Sequence, residues 1–156
     1  LTYYLGGINL RDLMEYDFKN RNHMRYVRHK TRNSKKSENE IAFTIQPEAQ
    51  EIINKYITDN GKLVFGRYSS YEKVYSLVFR HINKVANLAG INRKVSYYSA
   101  RKTFAQHGYD MGIEIEKIEY CIGHSMKNNR PIFNYIRIMQ EHADKVFRAI
   151  LDQLIK

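Results

Sequence analysis

The sequence predicts a mainly α-helical fold with one small antiparallel β-hairpin, and three observations carry that prediction. Apolar residues recur at helical spacing in several separate stretches. A loosely alternating segment at 23–30 and a short apolar run at 41–45 flank a polar turn, which is the pattern of a hairpin. Glycine follows most of the helical stretches, where a left-handed cap is wanted. The 156 residues suit one domain with a real core, and 43% hydrophobic with 27% charged residues excludes global disorder.

Taken in order, residues 1–16 read as the end of a helix, with Leu5, Ile8, Leu10 and Leu13 apolar and Gly6-Gly7 a weak point inside it. The stretch His23–Lys30 reads as a strand and Ile41–Ile45 as its partner. The turn TRNSKKSEN between them gives the hairpin a cationic tip. Pro47 sits where the first turn of a helix tolerates it. Ala49, Ile52, Ile53, Tyr56 and Ile57 then make 48–58 amphipathic, and Asn60-Gly61 ends that helix. A longer helix is expected over 71–88, with Val74, Leu77, Val78, Ile82, Val85 and Leu88 as one stripe and Gly90 as its stop. Ser99 can cap the next helix, which ends at Gly112. A short helix over 113–122 closes at Gly123, and a final helix over 139–155 carries Ala143, Val146, Phe147, Ile150, Leu151 and Leu154 on one side. No repeat, low-complexity segment or linker divides residues 1–156.

The net charge of +10 is the unusual bulk property. It is also segregated. Eight Lys or Arg and no acid lie between Lys19 and Lys36, seven between Lys73 and Tyr109, and acids are absent again from Tyr120 to Gln140. Soluble surfaces usually interleave their signs, so one basic face and a polyanionic partner are expected, with nucleic acid favoured over an anionic membrane surface or a merely soluble basic surface. No run approaches the ~18 apolar residues of a spanning helix. No secretory leader is visible, and the single Cys121 suits a reducing setting, so a cytoplasmic protein is expected. The absence of an initiator methionine reads as a piece of a longer chain.

Several chemistries are removed by motif. The chain has no GxxxxGK[ST] loop, no CxxC, no HExxH and no tight carboxylate cluster of the two-metal kind. No cofactor or metal is therefore expected. A basic protein that cuts DNA this way must stabilise the transition state with its own cations and supply a side-chain nucleophile. Arg101, His124 and Tyr135 are residue types that can hold a phosphate, hydrogen-bond or move a proton, and attack phosphorus.

The run Tyr97-Tyr98-Ser99-Ala100-Arg101-Lys102-Thr103-Phe104-Ala105, followed by Ile122-Gly123-His124-Ser125 and Asn134-Tyr135-Ile136, resembles the catalytic domain of tyrosine recombinases, nearest to integrases of phages and conjugative transposons. The resemblance covers nearly the whole chain. It implies that fold, and site-specific recombination or integration of double-stranded DNA through a 3′-phosphotyrosine without metal or ATP. It also implies a tetramer on DNA, action at the bacterial nucleoid, and a C-terminal helix (139–155) that docks on a neighbouring copy. Tyr135 matches the nucleophile, Arg101 the second signature arginine, His124 the phosphate-binding histidine, and Lys30 the lysine that protonates the leaving 5′-oxygen. Arg28, Arg32, Lys35, Lys36, Arg93, Lys94, Lys102 and Lys127 are the expected phosphate contacts around them.

Three departures stand out. The interval from His124 to Tyr135 is longer than the family usually has. Tyr98 occupies a position where the family usually has histidine; a phenol is a poor base at neutral pH. The first signature arginine should stand three residues before Asp12-Leu13, and Asn9 is there instead. Arg11 is close in sequence, but two residues along a helix is roughly 200° around it, so whether Arg11 replaces the missing arginine is open on sequence alone. A type IB topoisomerase and a DNA-binding module that has lost catalysis remain the alternative functions.

Overall fold

The computed structural model describes residues 1–20, 22–30, 32, 40–124 and 138–155. A 3₁₀ turn at Tyr3–Leu5 leads into α1 (Leu10–Glu15). The strands β1 (His23–Tyr26) and β2 (Ile41–Thr44) follow, then α2 (Pro47–Tyr56), α3 (Tyr71–Leu88), α4 (Ser99–Asp110), α5 (Ile115–Cys121) and α6 (Gln140–Asp152). The two strands form an antiparallel pair with Met24 opposite Phe43 and Tyr26 opposite Ile41. The mainly helical fold with a small sheet is thus present.

The core forms where β2 meets α4, α5 and α6. Phe43 stacks on Phe147 with centroids 4.3 Å apart, and Phe104 lies 5.1 Å from Phe147. Leu5, Ile8, Ile53 and Ile150 close round this cluster, each fully buried. Helix α6 turns its apolar side inward, burying Ala143, Val146, Phe147, Ile150 and Leu151. Two polar ties hold it there. Asp144 accepts from the backbone N–H and the hydroxyl of Thr44 (2.5 and 2.8 Å), and Arg148 grips Glu48 through two hydrogen bonds of 2.6 and 3.2 Å. Within one chain, α6 covers its own core.

Several expectations need correction. Residues 1–16 are not one helix: Gly6 and Gly7 both have left-handed backbone (φ 65° and 72°), so the chain reverses before α1 begins. Asn9 is extended (φ −66°, ψ 148°) and stands at the N-terminal boundary of α1, not inside it. Strand β1 ends at Tyr26, which leaves Lys30 in a turn. Ser99 is the first residue of α4, not its cap; its hydroxyl instead accepts from the N–H of Ser96 at 3.0 Å. The stripe on α3 is mostly uncovered. Only Val74 and Ala86 of that helix are buried, whereas Leu88 is 81% exposed.

Candidate active site

The reversal at Gly6-Gly7 places a backbone carbonyl against α4. Arg101, in the first turn of α4, donates from one terminal nitrogen to Gly7 O at 2.9 Å and from the other to Ile122 O. It is only 3% exposed, and its Nε is buried with no hydrogen-bond partner. Gly7 must be glycine for two reasons. Its φ of 72° disfavours side chains, and a Cβ there would strike the backbone of Arg101. Gly123 serves the other wall. It completes a Schellman motif in which its N–H donates to Tyr120 O and that of His124 donates to Glu119 O, both at 2.8 Å. A Cβ on Gly123 would meet Ile41 and Arg28, whose guanidinium donates to Gly123 O at 2.8 Å.

Burial, and then the neighbouring Arg28, lowers the pKa of Arg101, although an arginine keeps its charge. His124 emerges beside this pair at the surface. Partial burial, and next the charges of Arg101 and Arg28, hold its imidazole below its ordinary value near 6.5. Near neutral pH His124 is therefore a neutral ring, able to donate one hydrogen bond and accept another.

A second group of residues lines a cavity of about 420 Å³ between α1, the turn after β1, and α3. Asn9, Arg11, Lys30 and Tyr98 all border it. The extended backbone of Asn9 removes the angular objection to Arg11, because the two residues are not a helical pair. Arg11 lies over the Tyr71 ring at 5.1 Å and is paired to Glu15 at 3.0 Å. The buried carboxylate of Asp12 joins the two sides of the cavity. It accepts from His29 N–H at 2.7 Å and from the Asn9 amide at 3.3 Å, and so braces the turn that carries Lys30. Tyr98 is about half exposed and connects the two groups, its ring 5.9 Å from the Arg101 guanidinium. Tyr97 also borders the cavity, and its hydroxyl is tied to the start of the chain, donating to Ile8 O and accepting from Thr2 at 3.1 and 2.9 Å.

Of the expected phosphate contacts, Arg93, Lys94 and Lys102 are exposed, as is Arg32, which pairs with Glu15 at 3.6 Å. Arg28 faces inward as a brace. Tyr135, Lys35, Lys36 and Lys127 lie outside the described residues. Among the described residues, no three His, Cys, Asp or Glu side chains come together as a metal site, and no helix is long and apolar enough to cross a membrane. Sequence reasoning used Asp12 only as a register mark and passed over His29, Glu15 and Tyr71. The i,i+4 spacing of Arg11 and Glu15 was a usable signal for one of them.

An arginine held behind a glycine turn, a histidine after a Gly-capped helix and a lysine on a hairpin turn suit phosphodiester chemistry on a basic domain. A sequence model of the Phage integrase family matches residues 6–142, most of the chain. The chain belongs to that family. A curated relative named "Tyrosine recombinase", from Pseudothermotoga lettingae, is 29% identical to this integrase-family chain over 105 residues, covering 64% of the chain and 35% of the relative. The chain thus spans about a third of the relative's length. No solved structure matches.

Proposed function

We propose that this chain is the catalytic part of a site-specific DNA recombinase, an integrase acting through Tyr135. The Tyr135 oxygen attacks the scissile phosphorus as its phenolic proton passes to the neutral imidazole of His124, the bond from phosphorus to the 5′-oxygen breaks, and Lys30 gives its proton to that oxygen. A 3′-phosphotyrosine and a free 5′-hydroxyl result, and the reverse step joins a new strand. Arg101, His124, Tyr98 and Arg11 hold the non-bridging oxygens as negative charge builds on them. The observation that carries this reading is the family match together with the shared cavity of Arg11, Lys30 and Tyr98.

Arg11 takes the phosphate contact that Asn9 cannot make. The tie to Glu15 and the ring of Tyr71 keep its guanidinium at the cavity instead of loose in solvent. Arg101 is covered in the DNA-free state, so its grip on phosphate requires the residues over it to move when DNA binds. Assembly into a tetramer with exchange of the C-terminal segment belongs to the same reading. An exchanged α6 would leave its own core and meet the equivalent surface of a neighbour, as in domain swapping.

The burial of Arg101 favours one second reading, a DNA-binding module that no longer cuts. A duplex nicked near the cleavage point separates the two. The intact protein should become trapped as a covalent adduct, and Tyr135→Phe should abolish it. Failure of the intact protein to form any adduct would overturn the cleavage reading. Lys30 has its own test. Lys30→Ala should slow cleavage ~10²–10⁴-fold, and a substrate with sulfur in place of the leaving 5′-oxygen should restore the rate, because a thiolate leaves without a proton. No restoration would remove Lys30 from the acid's role.

A further inference from the structure

Helix α3 carries an aromatic row that remains largely exposed among the described residues. Tyr71, Tyr75 and Phe79 stand four residues apart, with successive centroids at 6.0 and 6.3 Å and the Tyr75 and Phe79 rings nearly parallel at 15°. Spacing of this kind normally marks a buried helix face. Here Tyr75 is 50% and Phe79 67% exposed. The row forms one wall of the cavity of about 420 Å³ whose other walls bring Arg11, Lys30 and Tyr98. That volume lies in the range of about 300–1,000 Å³ typical of small-molecule sites.

The chemistry of the walls selects the occupant. An apolar peptide segment would match the rings but offer no anion to Lys30, nor to Arg11 beyond its exposed pair with Glu15. A bare phosphate would match the cations and leave the rings in water. The one carboxylate in the lining among the described residues, Asp12, has both oxygens engaged, by His29 N–H and the Asn9 amide, and is itself buried. An occupant with one flat apolar face and one adjacent anionic group satisfies both walls. Within a polyanionic ligand, that is a nucleotide whose base has left its stack.

We propose that this cavity receives one unstacked nucleobase of the bound DNA, with the Tyr75–Phe79 wall against the base and Arg11 and Lys30 on the phosphate beside it. The proposal rests on DNA as the ligand, and it adds a base-binding subsite next to the phosphate contacts. Aromatic side chains stack on any of the four bases, so the site is tolerant of sequence and contributes affinity and geometry, not readout. Extrusion costs least at a mismatched or already single-stranded position, such as the nicked ends exposed between cleavage and rejoining. Arg11, over the Tyr71 ring at 5.1 Å and held by Glu15, continues the aromatic row and links the base wall to the phosphate.

The test measures binding of the 156-residue chain to two single-stranded tetranucleotides of equal charge, dT4 and its abasic counterpart. The chain should bind dT4 about tenfold more tightly. The double variant Tyr75→Ala/Phe79→Ala should bind both alike, at the affinity the native chain has for the abasic strand. Both substituted residues are exposed, so thermal unfolding of the variant checks that the fold is unchanged. Equal binding of the two strands by the native chain would overturn the proposal, and so would a preference that survives in the double variant. A double variant that instead loses self-association by light scattering, with no base preference in the native chain, would assign the wall to a protein partner and overturn it too. Absence of any base preference in the native chain alongside a normal Tyr135 adduct on the nicked duplex would sink this subsite alone. Absence of both in the native protein would sink the recombinase reading with it.

Discussion

Arg101 and Arg11 are the two arginines proposed to hold phosphate, yet the chain treats them in opposite ways. Arg101 is shut behind a glycine reversal, its terminal nitrogens committed to Gly7 O and Ile122 O and 3% of its surface exposed. Arg11 borders an open cavity, held by one carboxylate and one ring. The first is bound up with the fold, because it links the start of the chain, α4 and the end of α5. The second is available to a ligand at little structural cost. On that reading, a site that pairs a buried, braced cation with an accessible one can be partly assembled before DNA arrives and completed by it.

Substitutions should separate the two roles. Arg101→Ala leaves two backbone carbonyls without their donor and a void under Tyr98. It should lower folding stability by about 2–4 kcal/mol, read by denaturant unfolding, and abolish adduct formation as well. Arg11→Ala removes only an exposed pair and should change stability by less than about 1 kcal/mol while slowing cleavage ~10²–10³-fold. Equal stability losses in the two variants would erase the distinction. Gly7→Ala probes the clasp without touching a charge. The strained φ and the contact with Arg101 should cost about 1–3 kcal/mol, and cleavage should fall with stability.

Smaller effects follow from the edges of the site. The native pKa of His124 is depressed, so the unfolded chain takes up this proton first as pH falls. The corresponding stability is fully present above about 6.5 and is lost as pH drops below that value through the native one. His124→Gln should flatten this part of a stability–pH curve; an unaltered acid limb would show that other groups set it. Glu15 occupies Arg11 and Arg32 at 3.0 and 3.6 Å, where DNA phosphate would compete. Glu15→Gln should therefore tighten DNA binding severalfold at low salt, with the gain fading as salt rises. Weaker binding at low salt would mean that Glu15 orients these cations instead of occupying them.

Much of this was legible in the sequence because periodicity and boxes report local structure well. Helix α3 fell at 71–88 as its spacing predicted, and the hairpin and its register-bearing strands were recognisable. What misled was conformation that a pattern does not encode. Gly6-Gly7 read as a weak point in a helix, whereas two left-handed residues make a reversal that delivers a carbonyl to Arg101. That error placed Asn9 on a helix and made Arg11 look misdirected. Burial was also illegible. Arg28 and Arg32 look alike in a basic run, but one braces Gly123 and the other faces solvent. The stripe on α3 promised a covered face because amphipathicity does not say what supplies the cover.

The most direct measurement is to digest the covalent adduct between the intact protein and a nicked duplex and map the DNA-linked peptide by mass. The account predicts a single linked peptide containing Tyr135, carried on a 3′-phosphate, and its disappearance in Tyr135→Phe. A linkage at any other residue, or an adduct that persists in Tyr135→Phe, would contradict it.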